Sequence, residues 1–251
     1  MKALLLIGIV IGLALAGVFL FLGLGVEVPV RSAKVEAAPA SDGSPAEAVH
    51  GAGVNAKALS ATASQPGQVG GVSDIDPRRA FGSKSAPIVM EVFSDFQCPA
   101  CKQLYKTTNQ PLVDNYVNTN RVYLVHRDFP LPMHAYSRVA ARYVRAAAQL
   151  GKAEQAENAL FSNQEKWDKT GDIDGTLAAV LSSVEMTKVR AQAKGTALDA
   201  VIDKDVALGK TYNVNQTPTT VIHFKGQTYP VVGMVSYDVL HQFLDQLLSQ
   251  R

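Results

Sequence analysis

The sequence predicts an α/β domain that follows an apolar N-terminal segment and a linker. Three observations predict this organisation. Residues 3–26 carry no charged or strongly polar side chain, residues 27–80 lack apolar periodicity, and residues 81–251 alternate apolar β-rich runs with stretches of helical period. A chain of 251 residues is long enough for one sizeable domain with such additions.

The N-terminal segment, residues 1–26, is long enough to cross a membrane. As a helix, residues 3–26 would extend roughly 36 Å, against a hydrocarbon core of ~30 Å. The apolar region of a cleaved signal peptide usually has only about 7–15 residues, so the length favours an uncleaved transmembrane anchor over a cleaved signal. In both cases we expect the folded domain on the periplasmic or extracellular side of a cell membrane, as in a single-pass protein.

Residues 27–80 have the composition of a flexible linker. Ala, Gly, Ser, Val and Pro dominate this stretch. Such a segment buries too little apolar surface to offset the entropy lost on ordering. We therefore expect it to tether residues 81–251 at a distance from the bilayer.

The first half of the domain reads as a strand, a helix and a second strand. An apolar β-rich run predicts the first strand over 87–93, and a second such run predicts another over 121–127. The stretch between them, residues 99–117, has helical character, and Pro111 is expected to kink or split the helix.

A block of helices follows over residues 134–210. Helices are predicted around 153–167, 173–182 and 186–209. Three glycines are expected to mark the breaks between helices in this block. They are Gly151, Gly171 and Gly175.

The C-terminal part predicts a hairpin and a last helix. Strands are expected over 219–224 and 229–232, joined by the turn Lys225-Gly226-Gln227. Ser236 is a suitable cap for the helix that follows. A parallel β-α-β unit followed by an antiparallel hairpin and a helix is thioredoxin topology, and the block over 134–210 is then an insertion in a thioredoxin-like fold.

The chain has two cysteines, Cys98 and Cys101, and both lie at the start of the first predicted helix. Closing so short a loop removes little entropy from the unfolded chain, so a disulfide here would stabilise the fold poorly. At a helix N-terminus, free N–H groups and the helix dipole favour an anion, which would lower the pKa of Cys98 and activate an exposed thiolate as a nucleophile. Cys101, one turn later, would lie deeper and close the disulfide.

A second predicted part of the site is Thr217-Pro218, just before the third strand. A cis peptide bond here would present the backbone of Thr217 towards Cys98. An extended substrate peptide could then pair with that backbone as an added strand.

Together these motifs resemble the DsbA-like thioredoxin-fold family. The resemblance covers roughly residues 80–251 and rests on four stretches: 93–101 (FSDFQCPAC), 127–134 (RDFPLPMH), 160–164 (LFSNQ) and 217–219 (TPT). It implies a helical insertion, disulfide exchange outside the cytoplasm, and a cis-proline opposite the dithiol. On it, Cys98 corresponds to the attacking cysteine, Cys101 to the resolving cysteine and Pro218 to the cis-proline.

The sequence departs from the pattern of that family at two positions. Many members carry a buried acidic residue six positions before the first cysteine, where this chain has Val92. Glu91, one position earlier, would face the other side of the strand unless a bulge intervened. The strongest oxidants of the family have His between the cysteines, where this chain has Ala100, so we expect a reduction potential between the about −120 mV of a strong oxidant and the about −270 mV of a reductant.

Other functional classes receive little support. The formal net charge is +2 without a run of Lys or Arg, so nucleic-acid binding is not expected. His126-Arg127-Asp128 resembles a kinase triplet but stands without a glycine-rich loop, and we interpret it as packing and surface charge. Two thiolates supply half of a tetrahedral zinc site, so a zinc site is not predicted, nor is any cofactor.

The sequence therefore predicts an extracytoplasmic thiol–disulfide oxidoreductase that exchanges its Cys98–Cys101 disulfide with substrate proteins, and oxidation of the substrate is the expected direction. Its expected partners are thiol-containing proteins and a membrane redox partner that recycles the dithiol. A disulfide reductase or isomerase is the alternative within this class. A non-enzymatic module that carries Cu(I) on a thioredoxin scaffold is the alternative outside it.

Overall fold

The computed structural model describes residues 74–250. The predicted anchor and all but the end of the predicted linker lie outside these residues. Within the described range, no helix combines the length and apolarity needed to cross a bilayer.

A five-stranded mixed sheet, ordered β1-β3-β2-β4-β5, forms the centre of the domain. Strand β3 runs parallel to β2 and antiparallel to β1, while β4 runs antiparallel to both β2 and β5. The strands are β1 (Ala80–Phe81), β2 (Ile88–Ser94), β3 (Val122–Asp128), β4 (Thr219–Phe224) and β5 (Gln227–Val232).

Helices surround this sheet and form the insertion. After a 3₁₀ turn at Pro77–Arg79, the first helical stretch consists of α1 (Pro99–Leu104), a π-helical segment (Tyr105–Asn109), α2 (Gln110–Leu112) and a second π-helical segment (Val113–Val117). The later helices are α3 (Ser137–Ala148), α4 (Ala153–Ser162), α5 (Gln164–Trp167), α6 (Ile173–Ala178), α7 (Ser183–Ala193), α8 (Ala197–Thr211) and α9 (Tyr237–Ser249).

The thioredoxin-like order of elements, with its helical insertion, is confirmed. The first helical stretch connects the parallel strands β2 and β3. The hairpin β4-β5 leads into α9, whose N-cap is Ser236, as predicted. The hairpin turn is shorter than expected. Lys225 and Gly226 both have positive φ (47° and 77°), the geometry of a tight two-residue turn, so Gln227 already belongs to β5.

Pro111 does not interrupt the first helix. Proline lacks an N–H group and its ring crowds the carbonyl four residues earlier, which disfavours a regular α-helix. The chain passes this position with π-helical turns on both sides of the short α2 segment. The predicted kink or split is therefore replaced by a local change in helical winding.

Two of the three predicted glycine breaks are found in the insertion. Gly151 and Gly171 have φ of 72° and 73° between helices, a conformation that favours glycine. Gly175 instead lies inside α6, where its N–H donates to the capping side chain of Asp172. The stretch predicted as one helix over 186–209 is two helices, since residues 194–196 separate α7 from α8.

The folded domain starts earlier than residue 81. Asp76 caps the 3₁₀ turn, and Ala80 and Phe81 pair with Val125 and Leu124 of β3. Arg79 is buried, with 2% of its surface exposed. Residues 74–80, placed in the linker from composition, are thus tied to the sheet by backbone pairing and buried charge.

The core has two main parts. One lies between one face of the sheet and the helices α1 to α2 and α9, and includes Met90, Val92 and Phe243. The other fills the insertion and extends to both cysteines. Trp167 is fully buried in this second part and donates from its indole N–H to the carbonyl oxygen of Leu160 at 2.8 Å.

Candidate active site

The cysteines lie where β2 gives way to α1. Cys98 is the N-cap residue of α1, and Pro99 occupies the first helical position, where a missing N–H costs nothing. Both cysteines are free thiols, and Cys101 lies deeper, with 1% of its surface exposed against 7% for Cys98. The prediction that Cys101 lies one turn behind Cys98 agrees with this geometry.

Cys98 is more covered than the sequence suggests. The backbone of Thr217 lies against it, and the thiol of Cys98 donates a hydrogen bond to the carbonyl oxygen of Thr217 at 3.3 Å. The Thr217–Pro218 peptide bond is cis, as inferred from the sequence. Pro218 in turn accepts a hydrogen bond from the N–H of Gly233 at 2.8 Å, which ties this loop to the end of β5.

The two thiols have opposite acidities. The pKa of Cys98 is lowered to about 6, chiefly because the Cys101 thiol donates a hydrogen bond to its thiolate, with smaller contributions from the N–H groups of Cys101 and Ala100. Burial opposes this effect but does not outweigh it. Burial raises the pKa of Cys101 well above the ordinary thiol value. Near neutral pH the pair thus consists of one thiolate and one thiol.

Side chains of the insertion fix the loop before α1. Gln164 is buried at the start of α5, and its side-chain amide donates to the carbonyl oxygens of Phe96 at 2.7 Å and Cys98 at 3.1 Å. Gln97 accepts from the N–H of Tyr136. Sequence reasoning assigned no role to Gln164, although it stands in one of the four stretches that resemble the family.

Asp95 holds the other side of the same loop. This carboxylate is 1% exposed, and its oxygens accept hydrogen bonds from the N–H of Gln97, the N–H of Leu131 and the ring of His134. The loop that carries Cys98 is therefore connected both to the segment after β3 and to the insertion.

Glu91 does not lie beneath the dithiol. Strand β2 pairs residue by residue with β3 from Ile88 to Ser94, so alternate side chains keep to opposite faces of the sheet. Val92 faces the core that contains Leu104, whereas Glu91 is fully buried and bonded to Arg127 at 2.6 Å and His223 at 3.0 Å. The position beneath the cysteines is apolar, as the sequence indicates.

The triplet His126-Arg127-Asp128 is not a surface feature. Arg127 and Asp128 are 4% and 2% exposed, and Asp128 forms ion pairs with Arg79 of the 3₁₀ turn and Arg145 of α3. The interpretation of this triplet as surface charge is wrong, because partners distant in sequence converge on it. In the part of the chain that the structure describes, no cluster of three or more His, Cys, Asp or Glu side chains could hold a metal ion.

The fold and the paired thiols are those of a thioredoxin-like protein, and comparison with known proteins agrees. Residues 75–245 match the family model described as Thioredoxin, which covers more than half of the chain. A thioredoxin-like oxidoreductase from Silicibacter pomeroyi DSS-3 is 26% identical with a TM-score of 0.59, over 70% of this chain and 95% of that chain. Pseudomonas aeruginosa DsbA2 is 26% identical with a TM-score of 0.53, over 68% of this chain and 93% of that one.

Wolbachia pipientis alpha-DsbA1 has the same fold, with a TM-score of 0.60 and 18% identity over 67% of this chain and 89% of that chain. Among curated proteins, a Na⁺/H⁺ antiporter NhaA 3 from Salinispora tropica is 27% identical over 152 residues, which are 59% of this chain. The chain spans 22% of the length of that relative. The chain belongs to the thioredoxin family. Its fold is that of the DsbA-like thiol–disulfide oxidoreductases.

Proposed function

We propose that this protein oxidises thiols of substrate proteins outside the cytoplasm by exchanging a Cys98–Cys101 disulfide with them. The observation that carries the proposal is the unequal pair of thiols, with the pKa of Cys98 lowered to about 6 and that of the buried Cys101 raised. A stabilised thiolate favours the reduced form of the pair, and a pair whose reduced form is stabilised is an oxidant.

In the proposed reaction, a substrate thiolate attacks the sulfur of Cys98 in the disulfide. A mixed disulfide between the substrate and Cys98 forms, and Cys101 leaves with the electron pair of the broken bond. A second substrate thiolate then attacks the substrate sulfur of the mixed disulfide and releases Cys98 as a thiolate. Two electrons pass from the substrate dithiol to the protein, which a membrane redox partner would later reoxidise.

Thr217 and Pro218 are proposed to bind the substrate. The carbonyl of Thr217 already accepts from the Cys98 thiol, so the backbone of this loop is adjacent to the reacting sulfur. An extended peptide whose own cysteine approaches Cys98 could form main-chain hydrogen bonds with this loop. Apolar side chains at the following strand and turn are also accessible, since Val232 and Met234 are 51% and 38% exposed.

A matched pair of cysteine variants tests the assignment. Cys98→Ser is expected to abolish oxidation of a dithiol peptide in a glutathione buffer, whereas Cys101→Ser is expected to retain thiol reactivity and to accumulate the mixed disulfide, which mass spectrometry of the acid-quenched protein detects. Oxidation that persists in Cys98→Ser would contradict the proposal. Tight binding of one copper ion per reduced chain, without dithiol oxidation, would favour the copper-carrying module instead.

The proposed location has its own test. The apolar segment over 1–26 and the composition of 27–80 support a membrane-anchored protein with the domain outside the cytoplasm. Alkaline phosphatase, which needs disulfides for activity, is expected to be active when it is fused after residue 250 of the full chain in a bacterial host. An inactive fusion that is made in full and stays in the cytoplasm would contradict this location.

A further inference from the structure

An imidazole–carboxylate pair lies on the same face of the sheet as Val92. Glu157 of α4 is buried, with 1% of its surface exposed, and accepts from Nδ1 of His126 at 2.7 Å. Glu157 also forms a close ion pair with Arg79, which favours its ionised form. Because the carboxylate accepts the proton of Nδ1, the neutral ring carries its lone pair on Nε2.

The Nε2 atom of His126 is buried and has no hydrogen-bond partner among the described residues. Burial lowers the pKa of His126 to about 3, and the positive charge of Arg79 adds to the effect, so the ring is neutral at physiological pH. The negative charge of the nearby Asp128 carboxylate acts in the opposite direction and raises the pKa of His126, but less strongly. An orphaned acceptor of this kind inside a protein calls for an explanation.

A small cavity connects this pair with Cys101. It has a volume of about 20 Å³, and its walls include Cys101, Ser94, His126 and Glu157. Such a volume accommodates one water molecule, and the polar atoms in the walls can hydrogen-bond to it. The side chain of Ser94 also donates towards the sulfur of Cys101, where it lowers the pKa against the effect of burial.

His126 and Glu157 also line an open groove, on the side away from Cys101. This groove, of about 570 Å³, shares His126, Glu157, Tyr105 and Asn109 with the small cavity. Glu154, one turn before Glu157 on α4, lies in the groove and is exposed. The imidazole and carboxylate therefore lie between buried Cys101 and solvent.

The proposed function requires that buried Cys101 exchange a proton with solvent, and His126 and Glu157 lie where they can mediate this exchange. Cys101 must lose a proton before it can attack a mixed disulfide and must regain one when it leaves, yet it is 1% exposed. Val92, beneath the dithiol, has no proton to exchange. His126 is the register partner of Val92 on β3 and so faces the same side of the sheet in the next strand.

We propose that His126, oriented by Glu157, relays protons between Cys101 and solvent through a water molecule in the small cavity. This inference rests on the proposed function and assigns His126 as a proton relay of the same site and Glu157 as the carboxylate that orients it. In the closing step, the Cys101 thiol passes its proton through the water to Nε2 of His126. The sulfur then attacks Cys98 in the mixed disulfide, the Cys98–Cys101 bond forms, and the partner thiolate leaves with the electrons of the broken bond. When Nε2 accepts this proton, Nδ1 passes its own proton to the Glu157 carboxylate, so the ring stays neutral, as its low pKa requires. Glu157 then releases the proton to water in the groove.

A two-step reaction with oxidised glutathione tests the relay in the intact protein. Cys98 of the reduced protein first forms a mixed disulfide with glutathione, and Cys101 then closes the internal disulfide. Acid quenching followed by mass spectrometry resolves the rates of both steps. His126→Leu and Glu157→Gln are each expected to slow the closing step at least tenfold at pH 7 and to leave the first step unchanged. The difference from the wild type should shrink as the pH approaches the ionisation of Cys101, because hydroxide then removes the proton directly.

The control is Glu154→Gln, which changes a carboxylate of the same helix that lines the groove but is exposed, and it is expected to close at the wild-type rate. Closing at the wild-type rate in both relay variants, or slowing by the same factor at every pH, would overturn the relay. Should one variant fail to fold, as judged by circular dichroism, the other variant and the solvent isotope effect on wild-type closure decide, and an isotope effect near one would contradict proton transfer. A wild-type protein that forms no mixed disulfide would contradict the proposed function instead, so the two failures are distinguishable.

Discussion

The thiol of Cys98 donates to the carbonyl oxygen of Thr217 at 3.3 Å, across 119 residues of sequence. This contact joins the start of α1 to the loop before β4, which are the two places where the sequence carries its most distinctive motifs. The loop shields Cys98 without burying it as deeply as Cys101, and it places the backbone of Thr217 next to the sulfur that a substrate must reach.

Changing the hydrogen-bond donor at Cys101 should change the acidity of Cys98. In Cys101→Ala the donor to the Cys98 thiolate is lost, so the pKa of Cys98 is expected to rise from about 6 towards the ordinary thiol value of 9.0. Cys101→Ser keeps a donor and should show a smaller rise. The pH dependence of the rate of alkylation by iodoacetamide measures both values. Equal pKa values in the wild type and the alanine variant would show that Cys101 does not stabilise the thiolate.

The stability of the reduced protein should depend on the ionisation of Cys98. Because its pKa is lower in the folded state than the unfolded value near 9, the thiolate stabilises the fold fully above that value, and this contribution is lost as the pH falls through about 6. After allowance for solvent screening, we expect the reduced wild type to lose roughly 1–2 kcal/mol between pH 8 and pH 5 relative to Cys98→Ser. Urea unfolding of both proteins at each pH measures it, and groups other than Cys98 cancel in the difference. A constant difference over this range would contradict the lowered pKa.

The two hydrogen bonds from the Gln164 side chain to the loop before α1, here called the Gln164 clamp, should affect both the stability of the fold and the reactivity of Cys98. Gln164→Leu removes the donor to the carbonyl oxygens of Phe96 and Cys98, which are then left without this partner in a buried place. We expect a loss of about 1–3 kcal/mol in the free energy of unfolding and a higher pKa of Cys98, because the start of α1 is held less firmly.

The matched control for this clamp is Gln155→Leu. Gln155 makes the same type of bond, to the carbonyl oxygen of Val180 at 2.6 Å, but is exposed. Its loss is expected to change stability by less than about 0.5 kcal/mol. Similar losses in the two variants would show that burial of the Gln164 bond is unimportant.

The buried and the exposed ion pairs of α3 should contribute differently to the free energy of unfolding. Arg145 is 4% exposed and pairs with Asp128 and Asp205, which also pair with Arg79 and Arg127. Arg145→Met removes one cation from this buried cluster and leaves negative charge in it uncompensated, so it is expected to cost about 3–5 kcal/mol. Arg138 pairs with Asp203 at 2.8 Å on the surface, and Arg138→Met is expected to cost at most about 1 kcal/mol. Chemical denaturation of both variants measures the two values. A loss below about 1 kcal/mol for Arg145→Met would contradict a tightly coupled buried cluster.

The sheet and the site motifs could be predicted from local patterns. Strands β2 and β4 are runs of apolar and β-branched residues that are almost wholly buried, and the proximity of Cys98 to Thr217 follows once the topology is known. The buried charge could not be predicted in this way. Arg79, Asp128 and Glu157 each look like surface residues in sequence, and they are buried because elements separated by up to 78 residues bring opposite charges together.

The shielding of Cys98 by the Thr217 backbone also cannot be predicted from local sequence patterns. A cysteine that caps a helix is expected at the surface, and the covering group is a backbone carbonyl, which no side-chain pattern reveals. The role of Gln164 depends in the same way on the packing of the insertion against the loop before α1. These features arise from tertiary contacts between distant segments.

The reduction potential of the Cys98–Cys101 pair tests the central claim most directly. It can be measured by equilibrating the purified protein with glutathione buffers of known ratio and quantifying the free thiols by alkylation. A stabilised Cys98 thiolate predicts a value between about −270 mV and about −120 mV, above that of a reductant. A value near −270 mV or below, or the absence of an internal disulfide under oxidising buffers, would contradict a protein that donates disulfides.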